Sequence, residues 1–210
     1  MRPFIKICGI VDPEDAYLCG KFGVDFIGLI LWKGSSRHVD NMLACEIVKA
    51  AQESSVITVG VFVEGNVKEI EQTVSDTGIE VLQLHRLPSK GYIGVLSQKY
   101  PSIYTVSVET NGEISPPEKE QLNTSLKYAD HLLYDHGMGG TGEAFFWDQF
   151  SPPKGKSWIL AGGLTPQNVR QAVVMLHPDG IDVSSGVQKR NSLRKDPALI
   201  QQLIKEIELL

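Results

Sequence analysis

Positive charge is in short supply in this chain. Across 210 residues, 20 lysines and arginines face 25 aspartates and glutamates, a formal net charge of −5 at pH 7. A nucleic-acid-binding face needs a basic surplus, so that class of partner is not expected. Cysteine is scarce as well. Cys8, Cys19 and Cys45 cannot all pair, and their spacing fits neither a disulfide framework nor a zinc site. A reduced, cytoplasmic protein is the simplest expectation. Long hydrophobic runs are missing: none is long enough to span a bilayer, and the N-terminus lacks the apolar core of a secretion signal, so no membrane partner is expected. What remains is ordinary globular material, 42% hydrophobic and 21% charged, and its length suits one domain over residues 1–210 with a full core.

The material that is present repeats one pattern, a short apolar run followed by a helical stripe. Phe4 to Ile10 is a β-type run that stops at Gly9, and alternation puts Lys6 and Cys8 on one face with Ile5 and Ile7 on the other. Further strands are expected at Asp25–Leu31, Val56–Val63, Val81–His85, Ile103–Val108, His131–Asp135, Trp158–Ala161 and Ile181–Ser184, several of them apolar throughout, as strands covered on both faces are. Between them fall stripes at helical spacing, such as Ala44, Ile47, Val48 and Ala51. Asp12-Pro13, Asn66, Thr165-Pro166 and Asp196-Pro197 read as helix starts, Ser115-Pro-Pro-Glu118 as a capping box, and Ser89–Tyr100 as a weaker helix. Eight strand-and-helix pairs in an α/β chain predict a closed (β/α)8 barrel, a TIM barrel at the short end of its size range. A doubly wound open sheet is the runner-up, and the missing nucleotide fingerprint at the first turn counts against it.

In such a barrel, chemistry sits at the carboxyl ends of the strands and in the loops that follow. Those positions hold Cys8, Arg37, His85, Asp135, Gly162-Gly163 and Ser184-Ser185-Gly186. Cys8 is either a small buried filler or a reactive thiol, and as a thiolate it can serve as nucleophile, metal ligand or general base, a form that nearby positive charge favours. Asp135 either caps the loop behind it or, desolvated by Leu132 to Tyr134, acts as a general acid. Arg37 is solvated surface or a fork for a substrate carboxylate or phosphate. The turns at Gly162-Gly163 and Ser185-Gly186 leave backbone N–H groups free to cradle a phosphate, although tight-turn chemistry alone also explains glycine there. Lys6 and Asp182 are expected to meet inside the barrel as an ion pair. The G-x-G-x-x-G match at 137–142 opens no long helix and has no acid about twenty residues on, so a mobile loop over substrate suits it better than a nucleotide site.

Taken together these segments resemble the phosphoribosylanthranilate isomerase family. The similarity runs through Lys6-Ile-Cys-Gly-Ile10, Gly23-Val-Asp-Phe-Ile-Gly28 with Ser35-Ser-Arg37, Val59-Gly-Val-Phe-Val63, Leu82-Gln-Leu-His85, Asp135 with Gly139-Gly-Thr-Gly142, Ala161-Gly-Gly-Leu-Thr-Pro-Gln-Asn-Val169 and Asp182-Val-Ser-Ser-Gly-Val187, in order. The resemblance implies an Amadori rearrangement of N-(5-phosphoribosyl)anthranilate in tryptophan biosynthesis. Asp135 then matches the general acid, Cys8 the general base and Arg37 the holder of the anthranilate carboxylate. Gly162, Gly163, Ser184, Ser185 and Gly186 match the phosphate-binding turns. Such proton transfers need no metal and no redox cofactor, and the one partner implied is a phosphorylated small molecule. The chain departs from the pattern at Arg86, at Gln188 in place of a glutamate, and in Ser192-Leu-Arg-Lys-Asp196, which lacks a glycine. Two other functions compete: a barrel that binds phosphorylated ligands without turnover, and a broader isomerase that also takes the aminoimidazole ribonucleotide of histidine biosynthesis. No stretch signals an interface strongly.

Overall fold

The computed structural model describes residues 2–85, 91–120, 122–136, 145–152 and 155–210. Its eight strands are β1 (Phe4–Cys8), β2 (Phe26–Ile30), β3 (Ile57–Phe62), β4 (Val81–Leu84), β5 (Ser102–Val108), β6 (His131–His136), β7 (Ser157–Leu160) and β8 (Gly180–Val183). All neighbours are parallel, and β8 pairs with β1, so the sheet closes into a barrel. Alternation along each strand then makes two cores. Val59, Val81, Ile103, Leu133, Ile159 and Ala161 fill the interior, while Ile5, Ile7, Ile27, Leu29, Leu82 and Ile181 face outward and are buried under the helices.

The helical segments are α1 (Pro13–Lys21), α2 (Asn41–Glu53), α3 (Val67–Thr77), α4 (Gly91–Leu96), α5 (Pro116–Lys119), α6 (Leu122–Tyr128), α7 (Val169–Leu176) and α8 (Pro197–Glu208). Their starts follow local chemistry. Asp12, Asp40 and Asp196 accept from backbone N–H groups in the first turns of α1, α2 and α8, and Asn66 and Glu69 form a reciprocal capping box on α3. Two expected starts differ. Ser115 makes no side-chain cap, and only the short α5 follows it. Regular helix after Thr165-Pro166 begins at Val169, because Asn168 is held in a turn: its Oδ1 accepts from Thr165 N at 2.8 Å and its Nδ2 donates to Gly163 O at 2.9 Å. Of the expected helix at 89–100, the described α4 covers Gly91–Leu96.

At the amino end of the barrel, acids placed just before even-numbered strands close the open N–H groups of the odd-numbered strand alongside. Asp25 accepts from Ile5 N at 2.7 Å, Glu80 from Thr58 N at 3.0 Å, Asp130 from Ser102 N at 2.7 Å and Asp179 from Trp158 N at 2.9 Å. Each satisfies a donor that the ladder leaves unpaired. This end is therefore built for stability, which leaves the carboxyl ends for chemistry. Among the described residues, no helix is long and apolar enough to cross a membrane.

Candidate active site

The carboxyl ends of the strands converge on a cavity of about 310 Å³ lined by Cys8, Arg37, Gln83, His85, Asp135, Asp182 and Ser184, with Ile30, Trp32, Val61 and Val63 as an apolar wall. Two larger grooves lie elsewhere, one of about 500 Å³ against α2 and α3 and one of about 600 Å³ beside Pro3 and Asp179 at the amino end. Neither gathers the candidate acid and base.

Cys8 is the last residue of β1, and Lys6 precedes it on the same face. Both fit because the neighbouring strand carries no side chain at Gly28. A Cβ there would lie 2.7 Å from Cys8 Sγ and 3.2 Å from Lys6 Nζ. Lys6 is fully buried and its ammonium lies 3.0 Å from Asp182 Oδ2, so the expected interior ion pair forms. Burial opposes the charge on Lys6, but Asp182 and then Cys8 outweigh it and hold the pKa above the ordinary lysine value.

For Cys8 the balance runs the other way. Sequence reasoning expects nearby positive charge to favour the thiolate, yet burial is the largest influence and pushes the thiol up; Lys6 and Lys195 pull it down without cancelling that effect. The resting group is a thiol, with two cations ready to stabilise the thiolate. Lys195 was not among the sequence candidates. It is 1% exposed and donates from Nζ to Cys8 O at 2.7 Å and to Ser184 O at 3.0 Å. A lysine in the polar run 188–196 reads as solvated, and the only hint is its place just before the Asp196 cap of α8.

Arg37, in the loop after β2, crosses to the loop after β8. Its Nε and Nη2 donate to Gln188 Oε1 at 3.2 and 2.8 Å. One N–H edge is thus fixed by a neutral amide, and the guanidinium still lines the cavity with its charge uncompensated by Gln188. Gln188 in turn donates from Nε2 to Ser192 O. Arg194 staples the same loop to α1 through Asp12, Glu14 and Asp15.

Asp135, half-buried near the end of β6 opposite Ser107, lines the cavity. Gly162 is beside it, since a Cβ there would lie 3.3 Å from Asp135 Oδ1. Gly162 and Gly163 both have positive φ, 90° and 63°, as a tight turn after β7 demands. The turn after β8 packs directly on it: a Cβ at Gly186 would lie 1.9 Å from Leu164 O. Cys8, Arg37, Asp135 and Ser184 therefore share one cavity, while Gly162, Gly163, Ser185 and Gly186 form two touching turns at its side and do not line it. Gln83 donates to Thr105 Oγ1 at 3.1 Å, and its Oε1 and Asp182 Oδ1 are buried acceptors without a hydrogen-bond donor among the described residues. Arg86 and the glycine-rich motif at 137–142 lie outside the described residues.

The family model of N-(5'-phosphoribosyl)anthranilate (PRA) isomerase matches residues 5–206. The N-(5'-phosphoribosyl)anthranilate isomerase of Chlamydia felis is 38% identical over 206 residues, covering 98% of this chain and 97% of that one. Among solved structures, the phosphoribosyl anthranilate isomerase of Thermus thermophilus superposes with a TM-score of 0.83 at 28% identity, covering 98% of each chain. Another, a phosphoribosyl anthranilate isomerase in complex with reduced 1-(o-carboxyphenylamino)-1-deoxyribulose 5-phosphate, superposes with a TM-score of 0.78 at 28% identity, over 99% of this chain and 100% of that one.

Proposed function

The chain belongs to the N-(5'-phosphoribosyl)anthranilate isomerase family, and from that premise we propose that it catalyses the Amadori rearrangement of N-(5'-phosphoribosyl)anthranilate to 1-(o-carboxyphenylamino)-1-deoxyribulose 5-phosphate, a step of tryptophan biosynthesis. The observation that carries the assignment of roles is that Cys8 and Asp135 line one cavity, which they share with Arg37. Asp135 protonates the ribose ring oxygen, and the C1'–O bond breaks to leave a cationic iminium. The Cys8 thiolate then takes the C2' proton, giving an enolamine that tautomerises to the ketone.

The electrostatics support this order of events. A thiol held protonated by burial is a poor base in the empty site. Opening the ring places a positive iminium beside it, adding to Lys6 and Lys195 in favour of the thiolate, and the thiol proton passes to solvent before the C2' proton is taken. Arg37 holds the anthranilate carboxylate, and the wall of Ile30, Trp32, Val61 and Val63 suits the aromatic ring. The unpartnered acceptors on Gln83 and Asp182 suit ribose hydroxyls. Gly162, Gly163, Ser184, Ser185 and Gly186 cradle the phosphate through their backbone N–H groups. One barrel domain over residues 1–210 carries the whole reaction. It works in a reducing compartment, the cytoplasm, which keeps Cys8 a free thiol as it stands here.

Generating N-(5'-phosphoribosyl)anthranilate in place and following the loss of its fluorescence tests the activity. Rapid enzyme-dependent loss is expected, with no turnover of the aminoimidazole ribonucleotide of histidine biosynthesis. A folded protein that binds the phosphorylated product analogue but never turns substrate over would be a binder instead.

A further inference from the structure

The loop after β8 returns a cation to the core of the barrel mouth. Lys195 is buried, and its ammonium is held by two main-chain oxygens, Cys8 O at 2.7 Å and Ser184 O at 3.0 Å. Asp15 on α1 is engaged by other donors: it accepts from the Lys195 backbone N–H at 2.9 Å and from Arg194 Nε at 3.0 Å. The charged and titratable groups acting on this ammonium are Cys8 from β1, Asp182 from β8, Cys19 from α1 and Arg37 from the loop after β2. Among the described residues the ammonium meets two carbonyl dipoles and no hydrogen-bonded carboxylate, an expensive setting for a buried charge. Burial accordingly lowers the Lys195 pKa to about 8. Such a charge is relieved if a neighbour becomes negative, and Cys19, itself pushed up to about 12 by burial, is no such neighbour at neutral pH. Cys8 is the one whose proton the reaction must remove.

We propose that Lys195 is a positioning residue for Cys8: its ammonium pins the main-chain oxygens that end β1 and β8 and favours the Cys8 thiolate over the thiol. The inference rests on Cys8 being the general base. The clamp fixes the register of two strand ends that meet at the seam where the barrel closes, and Ser184 Oγ, donating to Cys8 O at 3.0 Å, reinforces it. The charge acts on the sulfur without touching substrate.

Lys195→Met removes donors and charge but keeps length and volume, and Lys195→Gln keeps donors without the charge. The reagent iodoacetamide, with alkylation at Cys8 read by peptide mass across pH, reports the thiolate directly. In both variants alkylation near pH 7, where the wild-type ammonium is charged, is expected to be about tenfold slower, and the difference closes above pH 8 as that ammonium loses its proton. The kcat should fall about ten- to a hundredfold with KM within about threefold. A folded variant with the wild-type alkylation profile and kcat, even if it melts earlier, overturns the proposal and leaves Lys195 a purely structural clamp. Full activity in Cys8→Ser would instead remove the base assignment, while the alkylation profile would still decide whether Lys195 favours the thiolate.

Discussion

Gln188 Oε1 accepts from both Arg37 Nε and Arg37 Nη2, at 3.2 and 2.8 Å, and so joins the loop after β8 to the loop after β2. A glutamate would have the same shape and a full negative charge. Gln188→Glu would keep the contact to Arg37 and lose the Nε2 bond to Ser192 O, and its charge would pair with the guanidinium proposed to hold the substrate carboxylate. Steady-state kinetics should show KM raised about five- to thirtyfold, the equivalent of 1–2 kcal/mol, with kcat nearly unchanged. A KM within about twofold of wild type would mean that Arg37 does not bind through its charge.

The Lys6–Asp182 pair supplies a stability prediction. Lys6 is wholly buried and the Asp182 side chain is only 10% exposed, so removing one partner strands the other. Lys6→Met should cost about 3–5 kcal/mol, and adding Asp182→Leu should restore much of it. Urea midpoints of the two variants against wild type measure this. An equal loss in the double variant would show that the carboxylate, not its unpaired charge, matters.

Much of this was legible in the sequence because it depends on period and punctuation. Alternation in Phe4–Cys8 put Lys6 and Cys8 inside, and the closed order of eight parallel strands brought Asp182 beside Lys6, as the repeat predicts. Arg37, Cys8 and Asp135 were found because strand ends in a barrel share one mouth. What sequence leaves open has physical causes. It shows which charges are near Cys8 and not how completely water is excluded there. Lys195 was missed because its burial comes from a loop folding back over the seam. Asn168, whose turn delays α7, lies in the Ala161–Val169 stretch, yet its bonds to Thr165 and Gly163 replace the expected proline-led start.

Gly186 tests the side turns. A Cβ at 1.9 Å from Leu164 O collides with backbone, which cannot give way as a flexible side chain would. Gly186→Ala should cost about 1–3 kcal/mol in thermal or urea unfolding and raise KM by pushing the two turns apart. Unchanged KM despite that loss would detach these turns from phosphate binding.

Lys195 makes stability depend on pH in a defined direction. Its pKa falls from 10.5 in the unfolded chain to about 8 when folded, so between those values the unfolded chain binds more protons. Stability from this group therefore rises with pH across that window, by about 1.4 kcal/mol per unit at most, and its penalty is fully present below pH 8. The difference between wild type and Lys195→Met isolates the effect from other groups. It should shift in favour of wild type on going from pH 8 to 10 in denaturant titrations.

In the proposed reaction Cys8 and Asp135 divide the proton transfers between them. The most direct measurement is saturating turnover of N-(5'-phosphoribosyl)anthranilate by Cys8→Ser and Asp135→Asn, with binding of the reduced product analogue measured alongside. The expected result is a kcat lowered about 10²- to 10⁴-fold in each variant, with analogue affinity largely kept. Near wild-type kcat in either one would contradict it.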